Sequence, residues 1–160
     1  MVRTEEKLKN VIETYSDMIL KLTLSYVRDY DTAEDITQTV FVKYMVEEKV
    51  FTSEEHQKAW LLRVAINECK KHFRSYWYAK RSEFPSEEYL TVKNEEGHPE
   101  VLEAIYGLPM KYREVIHLYY YEELSVKEIS SILGRKENTI MSDLHRARKL
   151  LKRALEESYG

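Results

Sequence analysis

A chain of 160 residues with 43% apolar side chains suffices for one ordinary domain or two small ones and is too apolar to be disordered. Four glycines and three prolines leave few tight turns, so with 33% charged residues and little strand-like alternation the expected fold class is all-α. The single cysteine, Cys69, excludes a disulfide framework and fits a reducing, cytoplasmic setting, and no stretch has the apolar run of a secretion signal or a membrane span.

The first helical pattern places Val11, Tyr15, Met18, Ile19, Leu22, Tyr26 and Val27 on one face, at spacings of three and four. It ends near 28–30, and Asp31 with Glu34 reads as a capping box opening a second helix with Ala33, Ile36, Val40, Phe41, Tyr44 and Met45 as its apolar face. Thr52 with Glu55 repeats the signature ahead of a third helix carrying Trp60, Leu61, Val64, Ala65, Phe73, Tyr76 and Trp77. Residues 82–99 hold two prolines, one glycine and five glutamates against one lysine, the composition of an exposed acidic linker.

Periodicity resumes with Val101, Leu102, Ile105 and Leu108, breaks at Pro109, and returns with Tyr112, Val115, Ile116 and Tyr119. Ser125 with Glu128 caps a short helix over 125–133, and Gly134 stands where a tight helical turn needs positive φ. A second helix from about residue 137 turns Ile140, Leu144, Ala147 and Leu151 inward, leaving Thr139, Met141, Ser142, His145, Arg146 and Lys149 on other faces. The expected architecture is two small helical domains, 1–80 and 100–160, joined by an acidic linker over 81–99, with a C-terminal helix-turn-helix.

The net charge of −3 lacks the positive excess that a lone DNA binder usually carries, but the charge is unevenly spread. Residues 58–81 hold seven basic side chains against Glu68, and residues 135–153 hold seven against Glu137 and Asp143. Residues 31–55 reverse the sign, with seven acids against Lys43 and Lys49. Two basic stripes and one acidic surface fit two nucleic-acid contacts and one protein contact, or simply solvated helix faces.

The stretch LPMKYREVIHLYYYEELSVKEISSILGRKENTIMSDLHRARKLLK (residues 108–152) closely resembles the fourth conserved region of RNA polymerase sigma factors. DTAEDITQTVFVKY (31–44) and AWLLRVAINECKKHFR (59–74) resemble the second region. Both matches stand in family order, and the group that keeps only these two regions is the extracytoplasmic-function (ECF) sigma factors.

The resemblance implies an alternative sigma factor that binds core RNA polymerase and directs promoter recognition and opening. It implies polymerase docking through Asp31, Asp35, Gln38, Phe41 and Lys43, although core packing competes for Phe41. It implies a minus-ten DNA site with Phe51, Thr52 and Ser53 forming the pocket for a flipped base and Asn67, Lys70, Lys71 and Arg74 tracking the strand. Tyr76, Trp77 and Tyr78 would stack on bases or pack between helices. For the minus-thirty-five element it implies a site with Thr139, with Met141, Ser142, His145 and Arg146 at base edges and Arg148, Lys149 and Arg135 at phosphates. Met141 and Asp143 stand where the family commonly has basic residues, and an acid at 143 would repel phosphate or accept from a cytosine amino group. Arg135 and Lys136 stand where an apolar residue and a serine-type cap are more usual.

The 18 residues 82–99 of the linker span at most about 60 Å, and two elements two helical turns apart lie about 70 Å from each other, a gap that two domains of finite width close. Its glutamates fit the family linker, which passes through the polymerase's RNA channel, or an ordinary solubilising linker. A cognate anti-sigma factor is a further implied partner; no small-molecule substrate and no cofactor are implied.

Cys69 with His72 is half of a zinc site without a second half, and Glu114 with His117 is half of a di-iron motif, so no metal site and no enzyme are expected. The competing functions are a helix-turn-helix transcriptional regulator acting without core polymerase, which would usually need a dimer, and a protein-interaction bundle. The first leaves the acidic helix without a use; the second leaves Arg146, Arg148 and Lys149 without one.

Overall fold

The computed structural model describes residues 4–79 and 99–159, and all its elements there are helical. They are α1 (Glu5–Val27), α2 (Tyr30–Val46), α3 (Glu54–Ala79), α4 (Pro99–Tyr106), α5 (Met110–Ile116) continued by a π-helical turn (His117–Tyr121), α6 (Val126–Leu133) and α7 (Glu137–Tyr159). The chain divides into two compact units, one built from α1–α3 and one from α4–α7. The proposed linker falls almost wholly outside the described residues, except that α4 already begins at its last member, Pro99.

Unit 1 packs α1 against both α2 and α3. Thr4 caps α1 by accepting from the Lys7 amide at 3.2 Å, and the helix stops at Arg28, whose φ of 59° is left-handed and whose N–H bonds the Leu24 carbonyl. Two expected caps are displaced. Asp29, not Asp31, caps α2, accepting from the Thr32 amide at 3.3 Å, which leaves Asp31 in the first turn. Ser53, not Thr52, caps α3, accepting from the His56 amide at 3.1 Å. In each case two candidate caps stand within two positions of one another, and the one whose side chain reaches the third amide onward holds the terminus.

Ile19, Leu22, Ala33, Val40, Tyr44, Leu61, Leu62 and Ala65 are fully enclosed and form the core of unit 1. Two threonines cross it without cost to the polar count: Thr23 Oγ1 donates to the Leu20 carbonyl at 2.9 Å and lies 3.4 Å from Thr37 Oγ1, which donates to the Ala33 carbonyl at 2.7 Å. Cys69 is enclosed in the same core, and burial, with the neighbouring Glu68 charge second, pushes its thiol far above the ordinary value of 9.0. Below that value the thiol is neutral in folded and unfolded chains alike. Above it only the unfolded thiol ionises, so each further pH unit should remove up to about 1.4 kcal/mol of stability. Denaturant melts between pH 8 and 10 should show this slope in the native chain and lose it in Cys69→Ala.

Unit 2 gathers α4, α5 and α6 around α7, with Val115, Leu118, Ile129, Ile140 and Ala147 fully enclosed. Pro109 starts α5 as expected. The capping box of α6 is complete: Ser125 Oγ accepts from the Glu128 amide at 3.1 Å, and the Glu128 carboxylate accepts from the Ser125 amide at 3.0 Å. Gly134 ends α6 with φ 70°, the left-handed geometry its position requires. Among the described residues no helix is long and apolar enough to cross a membrane.

Candidate nucleic-acid interface

In α2 the acidic positions Asp31 and Asp35, and Gln38, are exposed. Phe41 is buried, 7% exposed, because it shares the helix side of Val40 and Tyr44; of the five docking candidates it belongs to the interior. Lys43 Nζ lies 2.5 Å from the Glu68 carboxylate of α3, which ties the two helices at the surface. Two residues absent from the sequence reading join this face: Val42 and Val46 are 57% and 59% exposed. With Asp35 and Gln38 they recur at three- and four-residue spacing, so the four share one stripe. The signal was available, since valines out of phase with the core positions 36, 40 and 44 have no interior use. Beside the stripe a groove of about 530 Å³ runs between α1 and α2, lined by Leu8, Ile12, Leu20 and Met45 among others.

The segment before α3 is held by rings. Phe51 stacks on Tyr44 with centroids 6.1 Å apart and planes at 11°, and lies 5.6 Å from both Trp60 and His56. Phe51 is thus half-buried while Thr52 and Ser53 beside it are exposed. On α3, Asn67, Lys71 and Arg74 are exposed at helical spacing, with Lys70 half-buried next to them. A polar residue and cations in line on a helix can track a phosphate backbone. The side chains of Tyr76, Trp77 and Tyr78 lie outside the described residues.

In unit 2 the turn between α6 and α7 is closed by Ser130, whose carbonyl accepts from the amides of Gly134 (2.9 Å) and Arg135 (3.3 Å), and whose hydroxyl donates to the Arg135 carbonyl at 2.5 Å. With that turn fixed, Thr139, Met141, Ser142, His145, Arg146, Arg148 and Lys149 are all exposed on α7. Met141 is 58% exposed, an apolar side chain presented to solvent in the first turns of the helix.

Three expectations about charge change. Asp143 is buried and pairs with Arg135, Nη1 to Oδ2 at 2.9 Å, so it faces neither phosphate nor cytosine. Arg135 also pairs with the buried Glu114 of α5, which turns its guanidinium toward the interior of the unit. Arg148 donates from Nε to the Tyr120 hydroxyl at 2.6 Å and lies over the rings of Tyr119 and Tyr120, at 5.5 and 5.6 Å. These contacts escape sequence reading because they join residues 8, 21 and 28 positions apart, across helices.

A short helix, a left-handed turn and a second helix with an exposed polar and basic face define a DNA-binding helix-turn-helix. Residues 11–78 match the family described as Sigma-70 region 2, and residues 98–151 match Sigma-70, region 4. The ECF RNA polymerase sigma factor SigM of Bacillus subtilis is 30% identical over 154 residues, covering 89% of this chain and 91% of that one. The RNA polymerase sigma factor SigV of the same organism is 28% identical over 152 residues, covering 93% and 91%. The solved structure of the sigma factor RpoE in complex with the anti-sigma factor NepR, from Bartonella quintana, shares the fold at a TM-score of 0.77 and 21% identity, covering 94% of this chain and 98% of that one. The chain belongs to the ECF sigma factors of RNA polymerase.

Proposed function

We propose that this chain binds core RNA polymerase through the outer stripe of α2 and carries it to promoters read at two elements by two units. The observation that carries the docking assignment is the stripe itself. Asp35 and Gln38 combined with exposed Val42 and Val46 make a mixed apolar and acidic face, and such a face on a soluble helix is the mark of a protein contact. Phe41 acts from inside, by shaping the helix surface that carries the stripe, and Lys43 acts as a strut to Glu68.

The minus-ten element falls to Thr52 and Ser53, braced by Phe51 on its aromatic platform, with Asn67, Lys70, Lys71 and Arg74 on the strand. The minus-thirty-five element falls to Thr139, Met141, Ser142, His145 and Arg146 at bases and to Lys149 at phosphate. Met141 suits a thymine methyl group, the apolar feature of the major groove. A cognate anti-sigma factor is the natural second partner, as NepR is for the sigma factor RpoE in the structure that shares this fold. On this reading the chain is a cytoplasmic binding protein and not an enzyme. A regulator acting without polymerase would leave the α2 stripe without a use.

Run-off transcription with sigma-free core polymerase, on a library of promoter fragments, tests this. Specific transcripts are expected only when the chain is added, and Val42→Asp with Val46→Asp should abolish them while leaving the fold intact. Core polymerase that neither binds the chain nor yields a transcript would sink the proposal.

A further inference from the structure

Two buried carboxylates, Glu114 on α5 and Asp143 on α7, have side chains only 3% and 7% exposed. Removed from water, such groups are costly unless a cation meets them. Arg135, in the turn between α6 and α7, meets both: one terminal nitrogen pairs with Glu114 and the other reaches Asp143 at 2.9 Å. The second nitrogen also donates to the Lys111 carbonyl at 3.3 Å, so a single guanidinium spans α5, the turn and α7. A planar fork can bridge three acceptors in this way; an ammonium on a flexible stem cannot hold the same geometry.

On α7, Asp143 sits at the edge of the inward stripe formed by Ile140, Leu144 and Ala147. Its surface neighbours at minus four and plus three are Thr139 and Arg146, both exposed. A helix held only by apolar contacts can roll by a fraction of a turn at little cost, whereas an ion pair at the stripe's edge opposes rolling directly.

We propose that Arg135 is a positioning residue: by clamping Glu114 to Asp143 it fixes the rotation of α7, and so sets which of its side chains face the DNA bases, without itself touching DNA. This rests on the reading of α7 as a recognition helix.

The test starts by enriching duplexes from a random pool with the full-length chain, with and without core polymerase. Affinity is then measured for the enriched duplex and for its scrambled counterpart, across a salt series, for native protein, Arg135→Met, Arg135→Lys and Asp143→Asn. Arg135→Met should lower discrimination between the duplexes about tenfold, a scale comparable to losing one base contact, and leave the slope of log affinity against log salt unchanged. Arg135→Lys should fail to rescue, because the charge returns without the fork. Asp143→Asn keeps the side-chain shape and should show the same loss, which covers the case in which Arg135→Met does not fold.

A phosphate contact would instead lower the slope by about 0.9, keep discrimination and be rescued by lysine; that result overturns the proposal. Lower melting temperature with unchanged discrimination overturns it too, as does enrichment of nothing under either condition. Enrichment by the free chain together with failure of core polymerase to bind it would sink the polymerase-docking reading alone and leave the Arg135 comparison intact.

Discussion

Tyr44→Ala should destabilise unit 1 by about 3–5 kcal/mol, the range for deleting an enclosed aromatic ring. The Tyr44 side chain has no solvent exposure, donates its hydroxyl to the Gln57 side-chain oxygen Oε1 at 2.8 Å, stacks on Phe51 and meets Trp60 edge-on at 6.1 Å. The loss is a large part of a small domain's total stability of about 5–15 kcal/mol. It should also strike function ahead of folding, since Phe51 would lose the ring that holds the segment presenting Thr52 and Ser53. Tyr44→Phe removes only the bond to Gln57, which is half-buried and so within reach of water; its cost should be about 1 kcal/mol. Urea melts followed by tryptophan fluorescence separate the two, and a cost below about 1 kcal/mol for the alanine variant would mean the ring is not integral to the unit.

Arg146→Ala should weaken recognition at the upstream element by about 1–3 kcal/mol, roughly five- to 150-fold, with no change in melting. Arg146 is exposed on α7, between Ser142 and Lys149 at helical spacing, and an exposed side chain without core contacts contributes little to folding. The form of the loss identifies its partner. A base contact relaxes the preference at one position of the element and leaves the others, while a phosphate contact weakens all sequences alike and lowers the salt slope by about one. Unchanged transcription from every promoter would remove Arg146 from the interface.

Periodic and local features were legible in the sequence. The inward stripes of α1, α2 and α7, the capping box at Ser125 and the left-handed Gly134 each depend on residues within a turn or two of one another, where spacing alone decides geometry. Caps were less legible, because several acceptors compete and a shift of two residues decides between Asp29 and Asp31, or one residue between Ser53 and Thr52. The charges of unit 2 were read with the wrong partners. By sequence Arg135 reads as a surface cation and Asp143 as an anomaly on the DNA side, whereas folding pairs the half-buried Arg135 with the buried Asp143 in a contact that nothing local encodes. Val42 and Val46 fall out of phase with the apolar face at Ile36, Val40 and Tyr44, so their exposure on α2 follows from spacing alone.

The π-helical turn at His117–Tyr121 marks where unit 2 can change length. Its hydrogen bonds reach back five residues, as from the Glu122 amide to the His117 carbonyl, so the turn holds one residue more than an α-helix there would need. Losing one residue in this turn returns the stretch to ordinary helix without opening a gap. The same loss inside α7 rotates everything beyond it by about 100° and carries the exposed face away from the groove. Insertions and deletions are usually tolerated in loops; in this unit a helix supplies the slack, and the loop that bears the recognition turn supplies none.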